Sequence, residues 1–281
     1  MKIIECPRDA MQGLAHYVPT ELKIQYLNAL LQVGFDTLDF GSFVSPKAIP
    51  QMRDTADVLA GLTLANTKTK LLAIVANLRG SEQASQYEQI QYVGFPLSIS
   101  ETFQQRNTNK TIRQAFQEVA DIQTCCADSE KELVVYLSMG FGNPYGDAYT
   151  PDRVGEFTDR LVQLGIRIIA PSDTVGSSTP DAIEALFVYL LKAFPGVEFG
   201  AHLHARPDEA EAKVRAALRA GVRRLDGALR GFGGCPMAAD NLIGNVPTEV
   251  ILKTLQENSI IFPINQEAFR EAMTLSEQVF T

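Results

Sequence analysis

Histidine is scarce in this chain, three residues in 281, and cysteine is nearly as rare, at four. Cys6, the adjacent Cys125 and Cys126, and Cys235 are too few and too scattered for a disulfide framework, which points to a reducing compartment. There is no basic block and no interleaving of basic with aromatic residues, and the formal net charge is −8, so a nucleic-acid partner is excluded. No apolar run approaches the roughly 20 residues needed to span a bilayer. The opening MKIIECPRDA also lacks the apolar stretch of a signal peptide. The expectation is a cytoplasmic protein with no membrane partner. Missing too is a G-x-G-x-x-G after the first β-type run, the turn that cradles phosphates in dinucleotide folds. An anionic ligand would therefore need a local cation or a metal ion to hold it.

What the chain does have is alternation. Eight short β-type runs are separated by longer amphipathic stretches: KIIEC, TLDFG, LLAIVAN, YVGFPLSI, LVVYLSMGF, RIIAPS, VEFGAHLH and RRLDGAL. Val-Gly or Leu-Gly recurs before the next strand, as in LLQVG and LVQLG, and reads as a helix C-cap glycine. Pro beside Thr or Asp opens several helices (Pro19-Thr20, Thr150-Pro151-Asp152, Thr179-Pro180-Asp181). The pattern predicts an α/β fold, a (β/α)8 TIM barrel as one domain over 1–281, with a C-terminal helical extension over 265–281. A doubly wound open sheet is the alternative.

In such a barrel, function sits at the C-terminal ends of the strands. The polar residues expected there are Arg8 and Asp9, Asp39, Glu101, Asn143, Asp173, His202 and His204, followed by the glycine-rich GFGGCPMAADNLIGN. Alternate strand residues share a face, so His202 and His204 project together. Two imidazoles with a carboxylate from another strand, naturally Asp9, suit a divalent metal ion; Asn245 is a candidate for a further oxygen ligand. Mixed nitrogen and oxygen ligands leave Mg2+, Mn2+, Co2+ and Zn2+ open. The competing reading is a pair of histidines on an exposed strand edge. Arg8 offers either a surface ion pair or a fixed cation for an oxyanion. Asp173 offers either a general base or a turn cap, and Cys235 either a proton donor or inert packing.

These residues, in this order, resemble the 3-hydroxy-3-methylglutaryl-CoA (HMG-CoA) lyase family of metal-dependent carbon–carbon lyases. The resemblance rests on PRD (7–9), GSFVSPKAIPQMRD (41–54), SDTVGSSTP (172–180), HLH (202–204) and GGCP followed by GN-x-x-TE (233–236, 244–249). It implies a (β/α)8 barrel that cleaves HMG-CoA or a close 3-hydroxyacyl-CoA to acetyl-CoA and acetoacetate. Implied ligands of a divalent ion, Mg2+ or Mn2+, are Asp9, His202, His204 and Asn245. Arg8, Asp39 and Thr174 are expected to contact substrate. Asp173 is the implied base and Cys235 the implied proton donor, with His202 assisting. An acyl-CoA partner, a homodimer and a place in leucine degradation are implied as well. The chain departs from the family pattern at several points: Asp39 stands where glutamate is usual, ARPDEA replaces DTYGQA after the histidine pair, and DAMQGLA replaces DGLQNE. These departures bear on the acyl group and the thiol carrier. A related metal-dependent aldolase or condensing enzyme, and a non-catalytic barrel that binds metal or acyl-CoA, are the rival readings.

Overall fold

The computed structural model describes residues 1–234 and 243–281. The eight β-type runs form β1 (Lys2–Glu5), β2 (Thr37–Ser42), β3 (Lys70–Ile74), β4 (Ile90–Ser98), β5 (Glu132–Ser138), β6 (Ile168–Asp173), β7 (Glu198–Leu203) and β8 (Arg224–Gly227). Each pairs in parallel with the next, and β8 closes onto β1, giving an eight-stranded barrel. The runs lack a polar alternation because parallel barrel strands are covered on both faces, by helices outside and by side chains within. β2, β6 and β8 are buried along their whole length.

The described helices are α1 (Pro7–Gln12), α2 (Thr20–Val33), α3 (Thr55–Ala60), α4 (Leu78–Ser85), α5 (Glu101–Thr108), α6 (Ile112–Asp128), α7 (Pro151–Gln163), α8 (Pro180–Ala193), α9 (Ala210–Ala220), α10 (Thr248–Glu257) and α11 (Gln266–Phe280). The expected start signals operate at α7 and α8, where Thr150 and Thr179 accept from the amides of Arg153 and Ala182 and a proline follows. At α2 they do not, since Pro19 itself occupies the cap position and offers no side-chain acceptor. Gly34 and Gly165 adopt φ of 97° and 89° in turns leading to the next strand, a conformation that a Cβ would strain. The C-terminal helix is present as α11, capped by Asn265, whose side chain accepts from the amides of Glu267 and Ala268. Phe280 at its end meets Tyr26 of α2 edge-on and stacks on Phe232, 4.4 Å between centroids.

Cys6 was expected inside the first strand, but β1 ends at Glu5 and Cys6 is the residue that caps α1. Pro7 explains the early stop, because it has no N–H for the ladder and suits the first helical position. Inside the barrel a small apolar cluster (Leu72, Ile74, Tyr92, Val134, Tyr136, Ile168 and Ala170) fills the middle. Below it Glu198 joins Lys2 at 2.6 Å and Arg224 at 3.3 Å. No described helix is long and apolar enough to cross a membrane.

Candidate active site

A cavity of about 180 Å³ opens among the C-terminal strand ends. Its polar wall includes Arg8, Asp9, Thr174, His202 and His204, and its apolar wall includes Ile74, Pro96, Phe103 and Tyr136. The space suits a short acyl group; a nucleotide-bearing carrier would have to lie across the mouth.

Arg8 comes from the first turn of α1 and is buried. Its guanidinium grips Asp39 with Nε at 3.0 Å and Nη2 at 2.5 Å, and donates through Nη1 to Asp9 at 3.1 Å and Gln12 at 2.9 Å. Burial works against the Arg8 charge, but Asp39 and Asp9 outweigh it and raise the pKa further. Burial likewise pushes Asp9 up, and the charges of Arg8, His202 and His204 overcome it and hold the carboxyl at about 2. Asp39 is the contrary case: burial dominates even against Arg8 and lifts it to about 6.

Asp9, His202 and His204 each present a ligand-type atom, all lying within 4.8 Å of one another, and all three residues are buried. His204 Nδ1 lies 3.1 Å from the Thr174 carbonyl, which can only accept, so Nδ1 carries the proton and Nε2 keeps its lone pair. That Nε2 is buried, finds no hydrogen-bond partner among the described residues, and lies 4.0 Å from Asp9 Oδ2. A buried lone pair facing an ionised carboxylate across that gap fits a cation held between them. Burial, with the nearby His202, lowers the His204 pKa to about 4, which keeps the ring neutral as a ligand must be. His202 Nδ1 meets Asp226 Oδ2 at 3.1 Å, and although burial opposes its charge, Asp226 raises its pKa. Asn245 is bridged to His204 as a short antiparallel pair and donates its amide to Asp9 Oδ2 at 2.7 Å and to the Phe232 carbonyl at 3.0 Å. Both amide hydrogens are thereby used and its side-chain oxygen is left for another partner.

Thr174 lines the cavity, and its hydroxyl accepts from the Met139 amide at 2.8 Å. Two other expected residues lie off the cavity wall. Asp39 does not line the cavity; it stands behind Arg8 and holds it. Asp173, expected as a base, also turns away. The register pairs Ser172 with His202 and Asp173 with Leu203, so Ser172 shares the inward face while Asp173 points outward towards α9. There its carboxylate accepts from Lys213 Nζ at 2.8 Å and from the amide and hydroxyl of Ser178. A carboxylate so engaged, and off the cavity wall, is arranged to hold its neighbours in place. Glu101 and Asn143 lie elsewhere: Glu101 accepts from the Ile112 amide, and Asn143 shapes its own loop by accepting from the amides of Tyr145 and Asp147. Cys235 falls outside the described residues.

Two buried partners were missed in the sequence. Lys213 also donates to the carbonyls of Gly176 and His204, at 2.9 Å each. Its signal was a lysine on the apolar face of α9, in line with Ala210, Val214 and Ala217. Asp226 was visible as a lone acid within RRLDGAL.

A family profile described as HMGL-like matches residues 2–275. A hydroxymethylglutaryl-CoA lyase of Bacillus subtilis (strain 168) is 31% identical over 272 residues, 97% of this chain and 90% of the relative. The mitochondrial hydroxymethylglutaryl-CoA lyase of Mus musculus is 30% identical over 275 residues, 97% of this chain and 83% of the relative. The solved structure of an HMG-CoA lyase from Acinetobacter baumannii in complex with coenzyme A and 3-methylmalate superposes with a TM-score of 0.91 at 29% identity, covering 99% of this chain and 90% of that one.

Proposed function

The chain belongs to the HMGL-like family, and from that premise we propose that it is a metal-dependent carbon–carbon lyase that cleaves HMG-CoA, or a close 3-hydroxyacyl-CoA, to acetyl-CoA and acetoacetate. The observation that carries this reading is the buried group of Asp9, His202 and His204, with the unpartnered His204 Nε2, set beside Arg8 on the wall of an acyl-sized cavity.

Asp9, His202, His204 and the amide oxygen of Asn245 would hold a divalent ion, with Mg2+ or Mn2+ as the expected choices. When bound, such an ion supplies Lewis-acid polarisation to the hydroxyl and carboxylate oxygens of the substrate. Arg8, immobilised by Asp39 and Gln12, presents a fixed cation to the thioester oxygen, which gains charge as the C2–C3 bond breaks and its electron pair moves onto C2. Thr174 contributes a hydroxyl to the same wall. Because Nδ1 of His202 is committed to Asp226, only Nε2 can serve the cavity, and ligation and proton transfer there exclude one another. The C3 hydroxyl proton leaves to water at the cavity mouth as the carbonyl forms, and C2 takes its proton from Cys235, the donor that the resemblance implies. Asp173 acts as a positioning residue, holding Lys213 against the His204 carbonyl. The same reading takes an acyl-CoA partner, a cytoplasmic homodimer of one-domain chains and leucine degradation as its setting.

The test is an assay of chelator-treated chain, with added divalent ions, against a small panel of 3-hydroxyacyl-CoAs. Ion-dependent release of acetyl-CoA from HMG-CoA is the expected result. Condensation or aldol cleavage of another substrate, without that release, would favour the related enzymes. Binding without any turnover would leave a carrier.

A further inference from the structure

Directly below the cavity lies a second set of ligand-type atoms. Cys6 Sγ, a ring nitrogen of His202 and a carboxylate oxygen of Asp226 all lie within 4.8 Å of one another, and all three residues are buried. The barrel register brings them together: β7 and β8 pair His202 with Asp226, and β8 and β1 pair Asp226 with Ile4, two residues before Cys6. The surroundings leave polar capacity unused. Asp226 Oδ1 and the Tyr136 hydroxyl have no hydrogen-bond partner among the described residues, although the two residues are only 3% and 7% exposed. The Tyr136 ring stands edge-on to His202, 5.4 Å between centroids. The Cys6 thiol has only a weak contact to set against a metal, 3.7 Å to the Ile4 carbonyl.

We propose that Cys6, His202 and Asp226 form a second metal site, bearing a thiolate, that takes a thiophilic divalent ion such as Zn2+, Cd2+ or Co2+. Thiolate, imidazole and carboxylate together are a zinc-type donor set, whereas Mg2+ and Mn2+ prefer oxygen. The geometry needs little change. His202 Nδ1 and Asp226 Oδ2 lie 3.1 Å apart, close to the edge of ~3.3 Å spanned by two ligands of a tetrahedral zinc ion. On binding, the Cys6 thiol gives its proton to solvent and the neutral His202 ring moves its proton from Nδ1 to Nε2; thiolate and carboxylate then balance the dication, so no net charge is buried. His202 belongs to both groups, so an ion here loosens its hold on one in the cavity; this consequence, unlike the site itself, rests on the ligand role proposed above for His202.

Co2+ titration of the chelator-treated chain tests the site without reference to turnover. A cobalt–thiolate charge-transfer band should appear, be displaced by Zn2+ and persist in Cys235→Ser and in Cys125→Ser/Cys126→Ser. It should vanish in Cys6→Ser and in Cys6→Ala, with thermal unfolding confirming that at least one of the two variants is folded. Asp226→Asn should weaken Co2+ binding by at least tenfold. No band in the wild type, or a band that survives loss of Cys6, overturns the proposal. In the cleavage assay Zn2+ should depress Mg2+-supported turnover of the wild type more strongly than that of Cys6→Ser, where only the cavity site remains to take it. Equal inhibition of both would refute the sharing of His202. A chain without lyase activity would refute the functional reading and leave the spectroscopic result standing.

Discussion

Two buried clusters of carboxylate and cation sit at the same end of the barrel, Arg8 with Asp9 and Asp39, and Asp173 with Lys213 and Ser178. They match in burial and in charge type, and they differ in direction. Arg8 and Asp9 border the cavity and leave an imidazole lone pair facing an ionised carboxylate. Asp173 and Lys213 close on each other between β6 and α9 and satisfy backbone carbonyls there. The first has capacity to spare for a ligand and the second is saturated. A buried ion pair is thus not by itself a catalytic signature; the unsatisfied atom is the better guide.

The sharpest way to break this contrast is His204→Ala. It should lower ion affinity by more than the roughly 10–100-fold that loss of a supporting group costs, with turnover falling almost to nothing. Elemental analysis of the purified variant checks it, and a full complement of ion would take His204 out of the site. Next in size, Arg8→Gln should reduce kcat about 10²–10³-fold, the usual worth of one oxyanion donor. Arg8→Lys should recover only part of the loss, since it lacks the fork that grips Asp39.

Asp173→Asn should act on stability instead. Leaving Lys213 buried beside a neutral amide should cost about 3–5 kcal/mol in denaturant unfolding, while kcat per folded molecule stays within about tenfold of wild type. Unchanged stability with a kcat loss of about 10²–10⁴ would restore Asp173 as the base.

Glu5 sharpens the comparison as a buried carboxyl held by neutral donors, the Leu229 amide at 2.8 Å and the Thr248 hydroxyl. Burial outweighs these bonds and lifts its pKa from 4.5 to about 8. The folded value is raised, so its contribution is complete below pH 4.5 and is lost as pH rises through about 8. Unfolding free energy should fall across that window by at most a few kcal/mol, and Glu5→Gln should flatten that part of the profile.

The order of strands and helices, the C-terminal helix and the histidine pair were legible because they depend on local patterns: apolar runs, proline and glycine punctuation, and a two-residue strand period. The same period gives no guidance at Asp173. In RIIAPSD the apolar run is continuous, since both faces of β6 are covered, and nothing local marks which residues point inward. Lys213 and Asp226 escaped notice for a related reason, as each has its side-chain partner, Asp173 or His202, 24 or more residues away.

By itself the sequence determined the alternation that closes into a barrel and the kinds of atom gathered at its mouth: an arginine, an acid, two imidazoles and an amide. Residue type and spacing are enough for that, because backbone periodicity acts over a few residues. Only the tertiary structure decided which carboxylates serve the cavity and which serve the scaffold. It set Asp39 behind Arg8, turned Asp173 to Lys213 and brought Cys6 beneath His202. Those outcomes depend on strand register and barrel closure, through which side chains far apart in the chain share one desolvated space and change each other's charge.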